Sequence, residues 1–368
     1  MLYLKPRLNY KYTLQDALIS IKGLWTKNIS SQKLSELFFS DHLFFTNHAR
    51  TALRIALNSI NLPPNANIGV QAFNCFTVFN AIKQAGYNPV FIDINDNFQI
   101  CLEDLNKKNG SIDALIITHL FGIPADMDKI KTLLKQKPII EDCAHAFLSN
   151  YKNKTVGTFG DIGIFSIGKA KFPSIGSGGY LLINNKDYLE NVEEHIKLLK
   201  NNTLLSEFES IFNSILLSFL HKPIIYKLLT LPILKKIDKN LDFGNKYKAI
   251  EKKILRTNKY LFLNKIFKYN KSKKEQKKNA INLKSLYSEY VTFDEHIFST
   301  DYDPNFFMFP ILVKNRDKFI QQHFNNGVEI GTHFSNSIRW AKIFGYQNTN
   351  CKNTEKIVNQ IITIPTYY

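Results

Sequence analysis

The stretch KPIIEDCAHAF occupies residues 137–147 and gives the first clue to the fold. Its apolar start, at 138–140, predicts a short buried strand, and Asp142 follows at the carboxyl end of that strand. In a parallel α/β sheet, ligands bind just beyond the carboxyl ends of the strands. Asp142 is therefore expected at the functional edge of a sheet, although an aspartate here also fits a helix N-cap or a turn.

Strand patterns alternate with helical patterns on the amino-terminal side of this stretch. Residues 50–61, for example, place Leu53, Ala56 and Ile60 on one face at helical spacing. This alternation predicts an α/β fold whose large domain holds a mainly parallel sheet, flanked by helices on both faces. The predicted strands lie at 68–70, 89–93, 114–118 and 138–140, and the predicted helices at 50–61, 76–85 and 127–134.

The length of 368 residues exceeds what one hydrophobic core usually holds, so two domains are expected. We predict a large domain at 1–195, a helical insertion rich in apolar and basic residues at 196–255, and a smaller α+β domain at 256–368. Within 156–184, short apolar runs separated by glycines predict strands joined by tight turns. A strand-like run at 306–313, a helix to Asn325 and a turn at Gly327 support the smaller domain.

The formal net charge of +17 is compatible with nucleic acids, anionic membranes or phosphorylated ligands as partners. No signature of a nucleic-acid-binding motif accompanies the charge, so we expect no nucleic-acid partner. The four cysteines are far apart without CxxC pairing, which argues against a metal site or a disulfide framework and favours a reducing compartment. Since the first residues also lack a signal-peptide pattern, the expected location is cytoplasmic.

Lys171 follows Asp142 in a glycine-rich segment, SIGKAK at 166–171. Such a lysine is usually a solvated surface charge, and the glycine spacing does not match a P-loop. Together, however, the two residues suit pyridoxal 5'-phosphate, which needs a lysine amine for a Schiff base and a carboxylate to keep the pyridine nitrogen protonated. Ser166 offers a hydroxyl for the phosphate, and Arg50 and Thr51 begin a helix whose amino end can bind an anion.

A series of motifs in order then resembles the DegT/DnrJ/StrS family of sugar aminotransferases. Coverage is good for residues 40–195 and 305–335. The motifs are NHARTALRIAL, VQAFNCFTVFNAIKQAGYNPVFIDI, THLFGIPADMDKI, EDCAHAF, GDIGIFSIGKAKFPSIGSGG and FPILVKNRDKFIQQHFNNGVEIGTHF. The resemblance implies fold type I, the aspartate-aminotransferase fold, with pyridoxal 5'-phosphate as cofactor and a homodimer whose active sites lie at the subunit interface.

The resemblance also implies a role for single residues. Lys171, and not Lys169, matches the lysine that carries the cofactor. Asp142 matches the carboxylate that pairs with the pyridinium, and His145 takes the position near the ring hydroxyl that glutamine usually holds. The phosphate ligands implied by the resemblance are Ser166, Arg50 and Thr51.

This chain departs from the family's pattern at several points. Cys75 stands where the family often has a stacking Phe or Trp, with Phe76 beside it as a further cofactor contact. The segment that reaches the partner subunit's phosphate is unclear. Its possible remnants are Gly244 with Asn245, or Arg256 with Thr257 and Asn258. The family usually continues past the motif at 364–368, so the small domain is expected to be shortened.

The function implied is transfer of an amino group, from glutamate, to a keto group of a nucleotide-activated sugar for surface polysaccharide synthesis. A sugar dehydratase of the same family is the second interpretation, but those enzymes have histidine in place of Lys171. A degenerate relative that acts as a binding or regulatory protein is the third. It is opposed by the presence of Lys171, Asp142 and Ser166.

Residues 209–239 suggest a peripheral contact with the inner face of a membrane. The run at 211–234 is strongly apolar, is interrupted by Pro223 and Pro232, and has lysines at 222, 227, 235, 236 and 239. That combination suits helices lying on a membrane rather than spanning it. Packing of these helices on a dimer partner or on the small domain is an equally open alternative.

Overall fold

A mixed sheet of seven strands lies at the centre of the computed structural model, which describes residues 3–8, 10–238, 251–348 and 350–367. The side chain of Lys235 and the whole of Lys239, Gly244 and Asn245 fall outside that description, so the predictions made for them stay predictions. The described strands are β1 Leu43–Thr46, β2 Asn67–Gln71, β3 Asn88–Ile92, β4 Ala114–Thr118, β5 Ile139–Asp142, β6 Asn150–Tyr151, β7 Lys154–Thr155, β8 Ile162–Ser166, β9 Gly179–Ile183, β10 Tyr302–Asp303, β11 Met308–Leu312 and β12 Ile361–Pro365.

Helices connect and cover these strands. A π-helical stretch, Tyr226–Thr230, joins two of them. The described α-helices are α1 Leu14–Trp25, α2 Gln32–Phe38, α3 Ala49–Ser59, α4 Phe76–Gln84, α5 Leu102–Lys108, α6 Met127–Leu134, α7 Leu189–Lys197, α8 Leu204–Leu220, α9 Pro223–Ile225, α10 Leu231–Asp238, α11 Arg256–Leu286, α12 Arg316–Asn325, α13 Ser337–Ile343 and α14 Lys352–Gln360.

The central sheet has the strand order β1-β9-β8-β5-β4-β2-β3. The five strands from β8 to β3 are parallel, whereas β9 runs antiparallel to both β8 and β1. Successive residues of β4 belong to different hydrophobic clusters: Leu115 packs in one and Ile116 in the other. Both faces of the sheet are therefore covered, and the predicted α/β fold with a mainly parallel sheet is confirmed.

The carboxyl-terminal part has the predicted α+β composition. β11 and β12 form an antiparallel pair in which Phe309 lies opposite Ile364, and α12, α13 and α14 lie between them in the sequence. The expected strand at 306–313 corresponds to β11, and the turn at Gly327 has a positive φ of 77°. Residues 361–365, near the motif at which we expected a shortened domain, form the buried strand β12.

The predicted helical insertion begins with α8, which packs against α1 and α11. α8 and the run of helix that starts at Pro223 meet at a bend of 79°. No single described helix is long and apolar enough to cross a membrane, but Leu204–Leu220 and Pro223–Leu234 pass that test together as a bent pair. The described part of the predicted insertion is therefore helical.

Candidate active site

Four parallel strands end in buried polar residues at one edge of the central sheet. β2 ends at Gln71, β4 at Thr118, β5 at Asp142 and β8 at Ser166. Since parallel strands have their carboxyl ends at the same edge, these side chains come together although they are far apart in sequence. Asp142 lies at the edge where the sequence predicted it.

A cavity of about 440 Å³, here called the polar cavity, lies beyond this edge. It is bounded by the strand ends, the amino end of α3 and the loop between β8 and β9. Most of the predicted site residues line it: Arg50, Cys75, Asp142, His145, Ser166 and Lys171.

Asp142 is held in place by a short hydrogen-bond network. Its Oδ1 accepts a hydrogen bond from the amide of Ala144 at 3.0 Å, and its Oδ2 lies 3.4 Å from the Thr118 hydroxyl. Asn74 donates to that hydroxyl at 2.8 Å, and Gln71 is bonded to both backbone groups of Thr118. Burial raises the pKa of Asp142, while the Ala144 amide and the charge of Lys171 oppose the rise.

Lys171 extends into the polar cavity from the loop between β8 and β9. Two bonds fix the preceding part of the loop: Ile167 donates to Gly178 and Lys169 donates to Gly176. Burial lowers the pKa of Lys171, and the charges of Cys75 and Asp142 act in the opposite direction. A lysine with a lowered pKa is more often neutral near pH 7, as an amine nucleophile needs to be. Lys169 is exposed, by contrast, although it also lines the cavity.

The amino end of α3 forms one wall of the polar cavity with Ser166 and Ser177. β9 approaches this helix so closely that a Cβ on Gly179 would lie 2.4 Å from the amide nitrogen of Ala49. Gly178 has a φ of +145°, a backbone conformation that favours glycine. Glycine at both positions therefore allows hydroxyls and a helix amino end to share one small space. Such a space suits a phosphate.

His145 is fully buried between aromatic rings. Its ring stacks on Phe334 with centroids 5.5 Å apart and an interplanar angle of 11°, and its Nδ1 accepts a hydrogen bond from the Phe121 amide at 3.4 Å. Burial, reinforced by the charge of Lys171, lowers the pKa of His145 well below its ordinary value. His145 is accordingly neutral, and it can orient a cofactor ring but adds no positive charge.

Two predicted site residues do not reach the polar cavity. Thr51 is buried one turn into α3, where its hydroxyl donates to Asn47 and its amide donates to His48. Phe76 begins α4 and packs on Phe344, with ring centroids 5.3 Å apart. The helix directs both side chains into the core, and a cofactor contact by either residue stays a prediction. Cys75 does line the cavity, and its Sγ accepts a hydrogen bond from Thr77 at 3.1 Å.

Glu141 precedes Asp142 and points to the other face of the sheet, as strand pleating requires. Its carboxylate accepts hydrogen bonds from the amides of Gly157, Phe159 and Gly160 and lies 3.0 Å from His119 Nε2. The Nδ1 of His119 accepts in turn from the Ala125 amide. Cys143 is close enough to complete a three-residue metal-ligand set, but the acid and the imidazole are already hydrogen-bonded. We therefore assign Glu141 to structural support of the Asp142 strand.

A second cavity, here called the basic cleft, has a volume of about 670 Å³ and lies between the amino-terminal segment, the loop after Lys171 and α11. Asp16 and Glu275 are the acidic residues that line it, and Asp16 is paired with Lys265 at 2.9 Å. Lysines outnumber these acids: Lys11, Lys171, Lys265, Lys268 and Lys278. Lys171 lines both this cleft and the polar cavity.

Several residues that shape the site were not identified from the sequence. Thr118 could have been found, since it ends a predicted buried strand just as Asp142 does. Asn74, Ser177 and Phe334 had no such signal, because they lie in loops whose approach to the cavity depends on the fold. Asn258, considered above as a contact to a partner's phosphate, donates to the carbonyl and the hydroxyl of Ser177 in its own chain.

Known proteins share both the sequence pattern and the architecture. A model of the DegT/DnrJ/EryC1/StrS aminotransferase family matches residues 30–368. GDP-perosamine synthase of Escherichia coli O157:H7 is 34% identical over 172 residues, which are 46% of this chain and 47% of that protein. The chain thus matches about half the length of such curated relatives.

Solved structures with similar folds extend over nearly the whole chain. The sugar aminotransferase CalS13 from Micromonospora echinospora has a TM-score of 0.74 at 16% identity, covering 99% of this chain and 95% of its own. GDP-4-keto-6-deoxy-D-mannose-3-dehydratase from E. coli, with bound hydrated PLP, has a TM-score of 0.76 at 16% identity over 99% and 95% of the two chains. Identities this low establish the fold alone. Because the family model matches most of the sequence, the chain belongs to the DegT/DnrJ/EryC1/StrS aminotransferase family.

Proposed function

We propose that this protein is a pyridoxal-phosphate-dependent aminotransferase that transfers an amino group from glutamate to a keto group of a nucleotide-activated sugar. The observation that carries the proposal is the position of Lys171, whose side chain lines both the polar cavity and the basic cleft. A lysine at this junction can serve a cofactor on one side and a substrate on the other.

The polar cavity fits the proposed cofactor in charge and in shape. Asp142 would hold a proton at the pyridine nitrogen, His145 would lie against the ring, and the amino end of α3 with Ser166 and Ser177 would hold the phosphate. When bound, the cofactor supplies an electron sink for the carbon that carries the amino group. Since a bound cation offsets the cost of burying a carboxylate, the raised pKa of Asp142 should fall on cofactor binding.

Lys171 would carry the proton that moves during the reaction. Burial lowers the pKa of its amine, and Asp142 is a charged neighbour of that amine. A neutral amine can accept a proton from a substrate carbon and return it to another carbon nearby. Burial also lowers the pKa of Lys169, two residues earlier, but Lys169 is more exposed to solvent than Lys171.

The basic cleft suits a substrate with a diphosphate. Its lysines come from the amino-terminal segment, from the loop at 170–174 and from α11, so cations face the cleft from several sides. Such a concentration of positive charge attracts a phosphorylated ligand and keeps it near Lys171. The similarity to GDP-perosamine synthase supports a nucleotide sugar over other phosphorylated ketones.

We also propose that the protein acts as a homodimer in the cytoplasm and that its product is used for surface polysaccharide. The resemblance to the family supports the dimer and the setting, and the widely spaced cysteines support a reducing compartment. Sedimentation equilibrium of the purified protein tests the dimer independently of activity.

Isotope transfer is the decisive experiment for the reaction. The protein is incubated with pyridoxal 5'-phosphate, ¹⁵N-glutamate and a panel of GDP- and UDP-linked ketosugars. The masses of the nucleotide sugars are then measured by mass spectrometry. The proposal expects ¹⁵N in a sugar product. Loss of water without label would favour the dehydratase. Cofactor binding without any reaction across the panel would favour a binding protein.

A further inference from the structure

α8 lies at the surface with several polar side chains facing the protein and most of its large apolar side chains facing solvent. Its inward side carries Glu207, Ser210, Ser214 and Ser218, which recur at helical spacing. Each has a polar partner: Ser210 donates to Asn258, Tyr10 donates to Ser214, and the amide of Tyr12 donates to Ser218. Surface helices normally point apolar residues inward.

Among the inward polar residues of α8 that the structure describes, Glu207 makes the largest number of side-chain hydrogen bonds, all to the start of α11. Its carboxylate accepts hydrogen bonds from the amides of Arg256 and Thr257 and from the Thr257 hydroxyl at 2.6–3.1 Å. It therefore caps the amino end of α11, where a negative charge is favourable. Because these polar contacts fix the rotation of α8, the large apolar side chains on its opposite side face solvent.

The exposed side, here called the outer apolar face, continues past the bend into the second arm of the helix pair. Tyr226 fixes that arm by donating to Glu329, and the Thr230 hydroxyl donates to the Leu220 carbonyl. The exposed fractions are high, for example 65% for Phe212 and 54% for Leu228. The face consists of Leu204, Leu205, Phe208, Phe212, Ile215, Leu216, Phe219, Ile224, Leu228, Leu229, Ile233 and Leu234.

Positive charges flank this face. Lys222 lies exposed at the bend with its ammonium 5.4 Å from the Phe219 ring centroid, and Lys236 lies exposed near the end of α10. From the start of α8 to the end of α10 the sequence contains the acids Glu207, Glu209 and Asp238, and the carboxylate of Glu207 already caps α11. Exposed apolar side chains with lysines nearby match the distribution of charge in helices that bind membrane surfaces.

We infer that the outer apolar face docks on an anionic lipid bilayer, with its leucine and phenylalanine side chains among the acyl chains and Lys222 and Lys236 at the headgroups. A second copy of the chain fits less well. A twofold contact through this face would bring the same lysines of both copies to one interface, where like charges repel. Anionic headgroups complement those lysines. The inference does not depend on the reaction proposed above.

Vesicle flotation tests the inference directly. The full-length protein is centrifuged through a density gradient with vesicles of phosphatidylcholine, or of phosphatidylcholine and phosphatidylglycerol at about 3:1. Wild type should float with the anionic vesicles and less with the neutral ones. The double variant Phe212→Ser/Leu216→Ser should reduce the floated fraction at least about tenfold, because two large side chains lose their transfer free energy. Lys222→Glu should reduce flotation only with anionic vesicles.

The matched control is Phe39→Ser, since Phe39 is 97% exposed outside the outer apolar face. It should float like wild type, and all variants should keep the wild-type melting temperature and amino-transfer rate. Phe212→Trp gives a second measurement, because its emission should shift to shorter wavelength when anionic vesicles are added. Absence of flotation with both lipids overturns the inference. So does a dimer that dissociates in the Phe212→Ser/Leu216→Ser variant while flotation is unchanged.

Discussion

The polar cavity and α8 both contain buried polar side chains, which serve ligand binding in the cavity and helix packing in α8. In the cavity, the carboxylate of Asp142 and the amine of Lys171 line the same space and can bind a ligand there. In α8, Glu207 is saturated by three donors from the start of α11. Buried polar groups that converge on a space therefore mark chemistry, whereas buried polar groups matched one to one by neighbours mark structure.

The helices of the two regions also differ in which of their faces is exposed to solvent. The helices around the polar cavity bury their apolar faces against the sheet, as Ala52 and Leu53 of α3 do. α8 buries its polar stripe and exposes its apolar one. The comparison predicts that substitutions in the cavity change activity, that inward substitutions in α8 change stability, and that outward substitutions in α8 change neither in solution.

The largest expected effect is at Lys171. Lys171→Ala should lower the rate of amino transfer by at least about 10³-fold, since the variant loses the amine that we propose to bind the cofactor and to move the proton. Its visible cofactor absorbance band should also be lost or altered. Lys169→Ala is the matched control and should retain most of the rate. Equal losses in both variants would contradict the assignment of Lys171.

Glu207 should give the largest change in stability. Glu207→Gln removes the charge from the cap of α11 and places amide hydrogens against backbone donors, so the free energy of unfolding should fall by about 2–3 kcal/mol. Urea denaturation followed by circular dichroism measures this. Glu209→Gln, on the exposed side of the same helix, should change it by less than about 0.5 kcal/mol. A similar small change for both would mean that Glu207 does not fix α8.

Neighbouring positions on α8 test its inverted orientation. Ile211 is buried, and Ile211→Ala should lower the free energy of unfolding by about 2 kcal/mol. This value is at the lower end of the range for such truncations because α8 lies at the surface. Phe212→Ser removes a larger side chain, yet should cost less than about 0.5 kcal/mol without membranes. Thermal and urea unfolding of both variants settle the order. A larger loss for Phe212→Ser would show that this side chain is buried in solution.

Asp16 extends the comparison to α1 and should give the smallest effect. Burial raises the pKa of Asp16, but the hydrogen bond from the Thr13 amide and the pairing with Lys265 bring the net pKa below its ordinary value. The charged form therefore stabilises the fold above the ordinary pKa of 3.8, and this stabilisation is lost as the pH falls through the lowered pKa.

Asp16→Asn should accordingly lower the free energy of unfolding by about 1 kcal/mol at pH 7 and by progressively less below about pH 4. Urea titrations at a series of pH values measure this difference. Asp317→Asn, an exposed acid in the first turn of α12, is the control and should have little effect. A difference that stays constant with pH would argue against the charge of Asp16 as its cause.

The sequence by itself determined much of the framework of this protein. Apolar runs such as 114–118 identified parallel strands, because a strand buried on both faces needs continuous apolar residues. The motif around Asp142 and the segment around Lys171 predicted a cofactor site at one edge of the sheet, because that chemistry needs a carboxylate and a lysine amine.

Tertiary structure decided which side chains share a space. Thr51 and Phe76 were predicted at the cofactor but are turned into the core by helix geometry, whereas Phe334 reaches His145 from the carboxyl-terminal part of the chain. The apolar run at 211–234 predicted helices lying on a membrane, but not which side of α8 faces out. That choice depended on partners distant in sequence, above all Thr257 for Glu207, because a buried carboxylate without hydrogen-bond donors is costly.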